Sequence, residues 1–351
     1  MTAYWRGRRV LVTGHTGFKG AWLVSWLEML GAEVVGLSLP ARTDPCLWGL
    51  IEGGSRLQEI IGDIRDRPAV ERAMSFEPEV VFHLAAQALV RRGFREPAET
   101  FDVNLRGTVN VLDVALHTSS VRAVLVVTSD KVYDDRAGNR PYEESAPIGG
   151  ADPYSASKAG CELVTRAYRA SYFGPRAIGL GTARAGNVIG GGDWSDERLI
   201  PDLVRSGRSG EALALRYPDA TRPWQHVLDP LYGYLLFAEH LVRTPSDLAP
   251  ASLNFGPQTA GAVPVRALVE RWESYFGESP GWRLDEGPHP PEAAALELSS
   301  TLAATVLGWK AALLFDDALR WTAEWYADFQ RGKAGADLVR TQVARYQALV
   351  S

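Results

Sequence analysis

Short runs of aliphatic and β-branched residues recur along the first half of the chain: RVLVTG, EVVGLSL, VVFHLAA, AVLVVTSD and IGLGTARAGNV, with stretches of helical periodicity between them. Apolar runs of this length read as strands buried on both faces, and an intervening helix is the connection that parallel strands need. The pattern predicts an α/β fold, a Rossmann-type doubly wound parallel sheet. From about Gly186 it changes: Gly, Pro and Trp become frequent, the helices shorten, and an amphipathic stretch, AALLFDDALRWTAEWYADF, follows. This part is expected to form a smaller C-terminal α/β lobe. The expected division is a sheet domain from 1–184 with 223–257, and a second lobe from 185–222 with 258–351. The cluster EGPHPPE reads as a loop between lobes or a plain surface loop, and no internal repeat or low-complexity tract interrupts the chain.

At 351 residues, 46% of them hydrophobic, the chain has material for one large core or two smaller ones around a cleft. Its net charge of -5 is spread without a basic run, which argues against nucleic-acid and membrane-surface roles. Cys46 and Cys161 are too few for a disulfide framework or a zinc site, as suits a reducing compartment. The six histidines are not spaced as a metal set, so no catalytic metal is expected. MTAYWRGRRVLVTG runs directly into a strand pattern without a long apolar segment or cleavage site, so the expected location is cytoplasmic.

The first strand leads into TGHTGFKG, which sets Gly14, Gly17 and Gly20 among His15, Thr16, Phe18 and Lys19 ahead of the helix AWLVSWLEML. Glycines let backbone approach a pyrophosphate, and a helix N-terminus offers unpaired N–H groups and positive dipole. The G-x-x-G-x-x-G spacing departs from the commoner G-x-G-x-x-G and resembles the extended short-chain dehydrogenase/reductase family. NAD is the expected cofactor. The second strand ends at Ser38, where an acidic residue would grip the ribose hydroxyls, and no arginine follows before Arg42, so NADP stays open.

Tyr154 and Lys158 in DPYSASKAGCELV stand four apart, on one helical face. A free phenol, with a pKa of about 10, is a poor base at neutral pH, but a neighbouring ammonium and a cationic nicotinamide both favour the phenolate. Lys158 is also expected to hold the nicotinamide ribose. TSDKVY carries Ser129, Asp130 and Lys131 to the carboxyl edge of the sheet, where doubly wound folds bind their ligands. An acid beside a second titratable group suggests two further proton transfers. Dehydration needs both: loss of a carbon-bound proton and protonation of a leaving hydroxyl.

The blocks TGHTGFKG, TSDKVY, GGADPYSASKAG, ARAGNVIGGGDW, RLIPD, ATRPWQHVLDPLYGYL, HPPEA and LGW resemble the CDP-glucose 4,6-dehydratases over nearly the whole chain. Asp130-Lys131 stands where the related dTDP-glucose enzymes carry Asp-Glu. The chain departs from the family at KAGCEL, commonly KGCAEL, and at SSTLAATVLGW, where an acidic residue and a lysine are usual. The resemblance implies oxidation of a nucleotide-linked glucose at carbon 4 with Tyr154, Ser129 and Lys158. Elimination of water across carbons 5 and 6 follows, with Lys131 as base and Asp130 as acid, and hydride returns to carbon 6.

The resemblance also implies cofactor contacts at Asp63 and Ile64, where Asp63 meets the adenine, and at Leu84, Ala85, Ala86 and Gln87. It implies diphosphate contacts at Asn187 and Arg222, with Tyr217 near the pyrimidine. Arg198 and Leu199, at a helix start, complete the expected substrate set with His226, which reads equally as a ligand contact or a buried imidazole. A homodimer through REPAETFDVNLRGTVNVLDVAL and the Tyr154 helix is implied too. The alternatives are a dehydratase for another nucleotide sugar, a 4-epimerase or decarboxylase sharing Tyr154 and Lys158, and a non-catalytic dinucleotide sensor. A sensor would be expected to lose the Tyr-Lys pair or Ser129.

Overall fold

Alternation along the strands explains why the apolar runs are unbroken. In the structure, a computed structural model describing residues 2–134, 141–244, 248–258, 263–276, 281–289 and 297–351, each central strand feeds two cores. Val10 and Val12 of β1 (Arg9–Thr13) enter one core and Leu11 the other. Ala123, Leu125 and Val127 of β5 (Ala123–Val127) likewise oppose Val124 and Val126. Side chains alternate along a strand with a period of two, so a sheet covered on both faces needs every position apolar.

With β2 (Glu33–Ser38), β3 (Gln58–Ile61), β4 (Val80–His83), β6 (Gly179–Arg184) and β7 (Ser252–Asn254), these strands form a seven-stranded sheet. Its order is β7-β6-β5-β4-β1-β2-β3 and every pairing is parallel. The order reverses between β1 and β4, and ligands of such sheets lie beyond the strand ends at that switch point. The helices α1 (Phe18–Met29), α2 (Gly107–Leu116), α3 (Pro153–Tyr168) and α5 (Leu228–Arg243) cover the two faces.

After β6 the chain makes short pairings: Val188–Ile189 with Gln225–His226, Leu213–Leu215 with Trp282–Leu284, and Thr221–Arg222 antiparallel to Val263–Pro264. The helices α4 (Leu199–Ser209), α6 (Phe315–Gln330) and α7 (Gly335–Leu349) pack around them. One apolar cluster runs through both regions and holds Trp5, Trp22, Trp26, Trp272, Trp309, Trp321 and Trp325. α7 reaches back to α1, with the Tyr346 ring edge-on to Trp26 at 5.5 Å between centroids. Among the described residues, no helix is long and apolar enough to cross a membrane.

Candidate functional site

The loop after β1 is made by close backbone approach. Gly14 adopts a φ of +79° with its Cα against Ala85 of the loop after β4, and a Cβ there would lie 2.8 Å from the Ala85 nitrogen. Gly20 rests on the Gly14 carbonyl, where a Cβ would come within 2.1 Å. α1 begins behind Gly17 with no side-chain cap, so its first N–H groups face outward for an external acceptor. These features fit a dinucleotide diphosphate.

Other side chains of the loop do different work. His15 is buried, donates from Nε2 to the Glu59 carboxylate of β3 at 2.9 Å, and sits edge-on to Trp48. Its imidazole therefore anchors the loop from behind, and only its backbone is left to meet a cofactor. Burial lowers its pKa, against the pull of Glu59. Thr16 bonds Ser38 at 2.7 Å and the Leu39 carbonyl at 2.9 Å, closing the loop onto the end of β2. Lys19 extends to within 3.5 Å of the Tyr234 hydroxyl, and its pKa falls to about 7, chiefly through burial and then the charge of Arg198.

Leu84, Ala85 and Ala86 follow β4 and are half-buried. Gln87 does not present its amide there. Its side chain bonds Thr100 at 2.9 Å, the Leu89 carbonyl at 3.1 Å and the Leu89 N–H at 2.7 Å, so it shapes its own turn. Asp63 is chelated by Arg65, with contacts of 2.7 to 3.1 Å, and an adenine amino group would share those oxygens. Ile64 is buried in the second core, against Gly107.

The side chains expected to be catalytic converge at the ends of β5 and α3. Asp152 caps α3, accepting from the Ser155 N–H at 3.0 Å, and Pro153 occupies the first turn where no N–H is needed. This start fixes Tyr154 and Lys158 on the buried face. Lys158 donates to the Val127 carbonyl at 3.0 Å, immediately before the turn that carries Ser129 and Asp130. Ser129 donates to Asp130 at 2.9 Å, and Asn187 donates to the other Asp130 oxygen at 3.3 Å from a left-handed conformation with φ +49°. Gly186 makes room for this carboxyl, since any Cβ would overlap it at 1.7 Å. Asp130 is thus turned inward, 3% exposed, and its charge is felt by Tyr154, Lys19 and Tyr234. Lys131 follows half-buried, its N–H on the Ser129 hydroxyl at 3.2 Å.

Burial pushes the Tyr154 phenol up to about 12, and a hydrogen bond with Ser129 and the charge of Arg198 only partly offset it. Lys158 is itself shifted down by burial. The surrounding protein alone therefore keeps Tyr154 protonated at neutral pH. His83, bonded to Thr13 at 2.8 Å and Thr108 at 3.1 Å, is held neutral with a pKa of about 3 by burial and by Lys158.

Among the substrate candidates, Asn187 reaches Asp130, and Arg198, at the N-cap position of α4 just ahead of Leu199, lies close enough to influence both Tyr154 and Lys19. Arg222 is 8% exposed and donates to the Thr221 carbonyl at 2.9 Å. Tyr217 donates to the His289 carbonyl at 3.4 Å, beside the end of EGPHPPE, and most of HPPEA falls outside the described residues. His226 is a core residue and not a ligand contact. It is fully buried between Trp22 and Trp321, and burial lowers its pKa to about 3. Sequence reasoning missed Tyr234, which reaches the centre from α5, and Gly186; their only sequence signals are their places in PLYGYL and RAGN. No group of three or more His, Cys, Asp or Glu among the described residues is placed to hold a metal ion.

A glycine-built loop at a switch point, beside a buried Tyr-Lys pair, is the arrangement of an enzyme of the short-chain dehydrogenase/reductase type. The chain belongs to the NAD dependent epimerase/dehydratase family, which it matches over residues 10–249. It is 40% identical over 351 residues to a CDP-glucose 4,6-dehydratase of Salmonella typhimurium, with 98% of each chain covered. Its fold is shared with the epimerase Mth375 of Methanothermobacter thermautotrophicus, at a TM-score of 0.82 and 23% identity over 97% of this chain and 96% of that one. It also matches MoeE5 in complex with UDP-glucose and NAD, at a TM-score of 0.77 and 25% identity over 92% of this chain and 99% of that one.

Proposed function

We propose that the chain is a CDP-glucose 4,6-dehydratase that forms CDP-4-keto-6-deoxyglucose with NAD. The observation that carries this reading is Asp130: a buried carboxyl held by Ser129 and Asn187 within electrostatic reach of Tyr154, which simple oxidation of an alcohol does not need. The Salmonella relative supports the choice of reaction and of nucleotide.

NAD, when bound, supplies a hydride acceptor for carbon 4, a hydride donor for carbon 6, and a positive ring charge. Gly14, Gly17, Gly20 and the α1 N-terminus would hold its diphosphate, and Lys158 its ribose. Tyr154, brought to the phenolate by that charge and by Ser129, takes the proton from the 4-hydroxyl as the carbon-bound hydride leaves. The resulting ketone acidifies the proton at carbon 5. Lys131 removes that proton, and Asp130 in its protonated form donates to the departing 6-hydroxyl, so one water is released. Asn187 keeps the Asp130 carboxyl facing this end of the sugar, and Lys131 would return a proton to carbon 5 to complete the product. Arg222 and Asn187 contact the diphosphate in this reading, which also assigns 185–222 with 258–351 to the sugar nucleotide and pairs two copies through 95–116 and α3.

The test is incubation with a panel of glucose nucleotides in deuterated water, followed by mass spectrometry. Loss of one water with uptake of one deuteron, fastest with CDP-glucose, is the expected result. An unchanged mass with inverted carbon 4 would make the chain an epimerase, and a faster reaction with another nucleotide would reassign the base.

A further inference from the structure

The catalytic turn is pinned on both sides by a buried polar network that touches no ligand position named above. Its centre is Glu162, two helical turns beyond Tyr154 and one beyond Lys158 on the same face of α3. Glu162 accepts from Thr128 at 2.5 Å, Thr182 at 2.7 Å, and Arg184 at 2.8 and 3.0 Å. Both members of the Glu162–Arg184 pair are almost wholly buried. Thr128 immediately precedes Ser129. On the far side of the turn, Arg184 donates to the Tyr133 hydroxyl at 2.7 Å and to the Glu144 carbonyl at 3.2 Å. Tyr133 in turn donates to Asn254 of β7 at 2.7 Å and stacks on Tyr142 at 4.8 Å with the rings 3° from parallel. Backbone bonds from Gly149 to the Val132 carbonyl and from Asp134 to the Pro147 carbonyl, both 2.9 Å, close the exit.

We infer that Glu162, Arg184 and Tyr133 are positioning residues that hold Ser129, Asp130 and Lys131 at a fixed distance from Tyr154 and Lys158. An ion pair inside a protein loses its hydration, and an apolar pair of similar volume often holds a core as well. Here the pair supplies direction. Its hydrogen bonds tie α3, β6 and both ends of the turn to one point, so the acid-base pair and the phenol-amine pair cannot shift independently. Elimination needs both pairs on one hexose, and small misplacements of reacting groups are costly in rate.

The kinetic half of this inference rests on the dehydratase reading, while its structural half does not. The test uses the full chain with bound cofactor and two variants, Tyr133→Phe, which keeps the ring stack and removes one hydroxyl, and Glu162→Gln. Hydrogen exchange at residues 129–133 is expected to quicken about tenfold in Tyr133→Phe while α3 amides keep their rates. With CDP-glucose, kcat is expected to fall roughly ten- to a hundredfold with KM within about twofold. Glu162→Gln should show the same split more strongly, and if it does not fold, Tyr133→Phe decides alone. Wild-type exchange in the turn overturns the inference, as does quickened exchange with an unchanged kcat, or a loss carried by KM. If the parent chain does not turn over CDP-glucose, the dehydratase reading fails and the exchange measurement still decides whether the network holds the turn.

Discussion

The loop after β1 and the turn after β5 meet at the same edge of the sheet, yet they are built by opposite means. The first is backbone against backbone, Gly20 on Gly14 and Gly14 on Ala85, with an uncapped helix start left open. The second is a short turn whose geometry comes from side chains far away in sequence: Glu162, Arg184, Asn187 and Asn254. A backbone site recognises a group that many molecules share, a diphosphate, and needs only room. A side-chain site must place acids and bases to a fraction of an ångström, and it recruits every neighbouring element to do so.

Substitutions separate the two designs. The largest effect is expected from Gly20→Ala, because the added methyl collides with a carbonyl that cannot retreat: NAD affinity should drop about a thousandfold or more by calorimetry, with the fold retained in circular dichroism. Binding within a few-fold of the parent would show that the loop is not backbone-limited. Next, Tyr154→Phe should lower kcat by roughly 10²- to 10⁴-fold while NAD still binds, because the change removes proton transfer and leaves the loop intact. Lys131→Met is expected to cost about ten- to a hundredfold in dehydration, with the oxidised sugar still formed; normal dehydration would reassign the base at carbon 5.

A carboxyl remote from both loops provides the smallest and most specific contrast. Glu162 is ringed by four donated hydrogen bonds, whereas Asp229 at the start of α5 has one oxygen bonded to Tyr346 at 2.7 Å and to the Ala312 N–H at 2.6 Å, and the other without a partner. Burial raises the Asp229 pKa from 3.8 to about 7. The folded chain therefore holds a proton that the unfolded chain has released, so this group's stabilising contribution is full below pH 3.8 and is lost as pH rises to about 7. Each tenfold difference in proton affinity between the two states is worth about 1.4 kcal/mol, so Asp229→Asn should be more stable than the parent at pH 8 by roughly a few kcal/mol. The gap should close near pH 4 in urea titrations. A gap of equal size at both pH values would show that Asp229 does not titrate with folding.

The sheet was readable from its apolar runs because both faces are covered, and the glycine loop because its geometry is local. Tyr154 and Lys158 were readable as helix neighbours, and Asp130 by its place at a strand end. Nothing local marked Tyr234, which enters from a helix eighty residues beyond Tyr154, or Gly186, whose value lies in the carboxyl pressed against it. His226 misled for the complementary reason. Set beside Arg222 in ATRPWQHV it looks like a binding residue, but the strand Gln225–His226 turns it under two tryptophans. The state of Tyr154 was also hidden, since burial depends on elements folded over it and not on its neighbours in the chain.

The clasp of α7 over α1 has a consequence for biosynthesis. Trp26 is synthesised more than three hundred residues ahead of Tyr346, which packs edge-on against it. Until α7 is made, that aromatic face lacks this cover. Nascent chains should therefore expose a sticky flank that a holding chaperone can occupy, released only when α7 arrives to displace it.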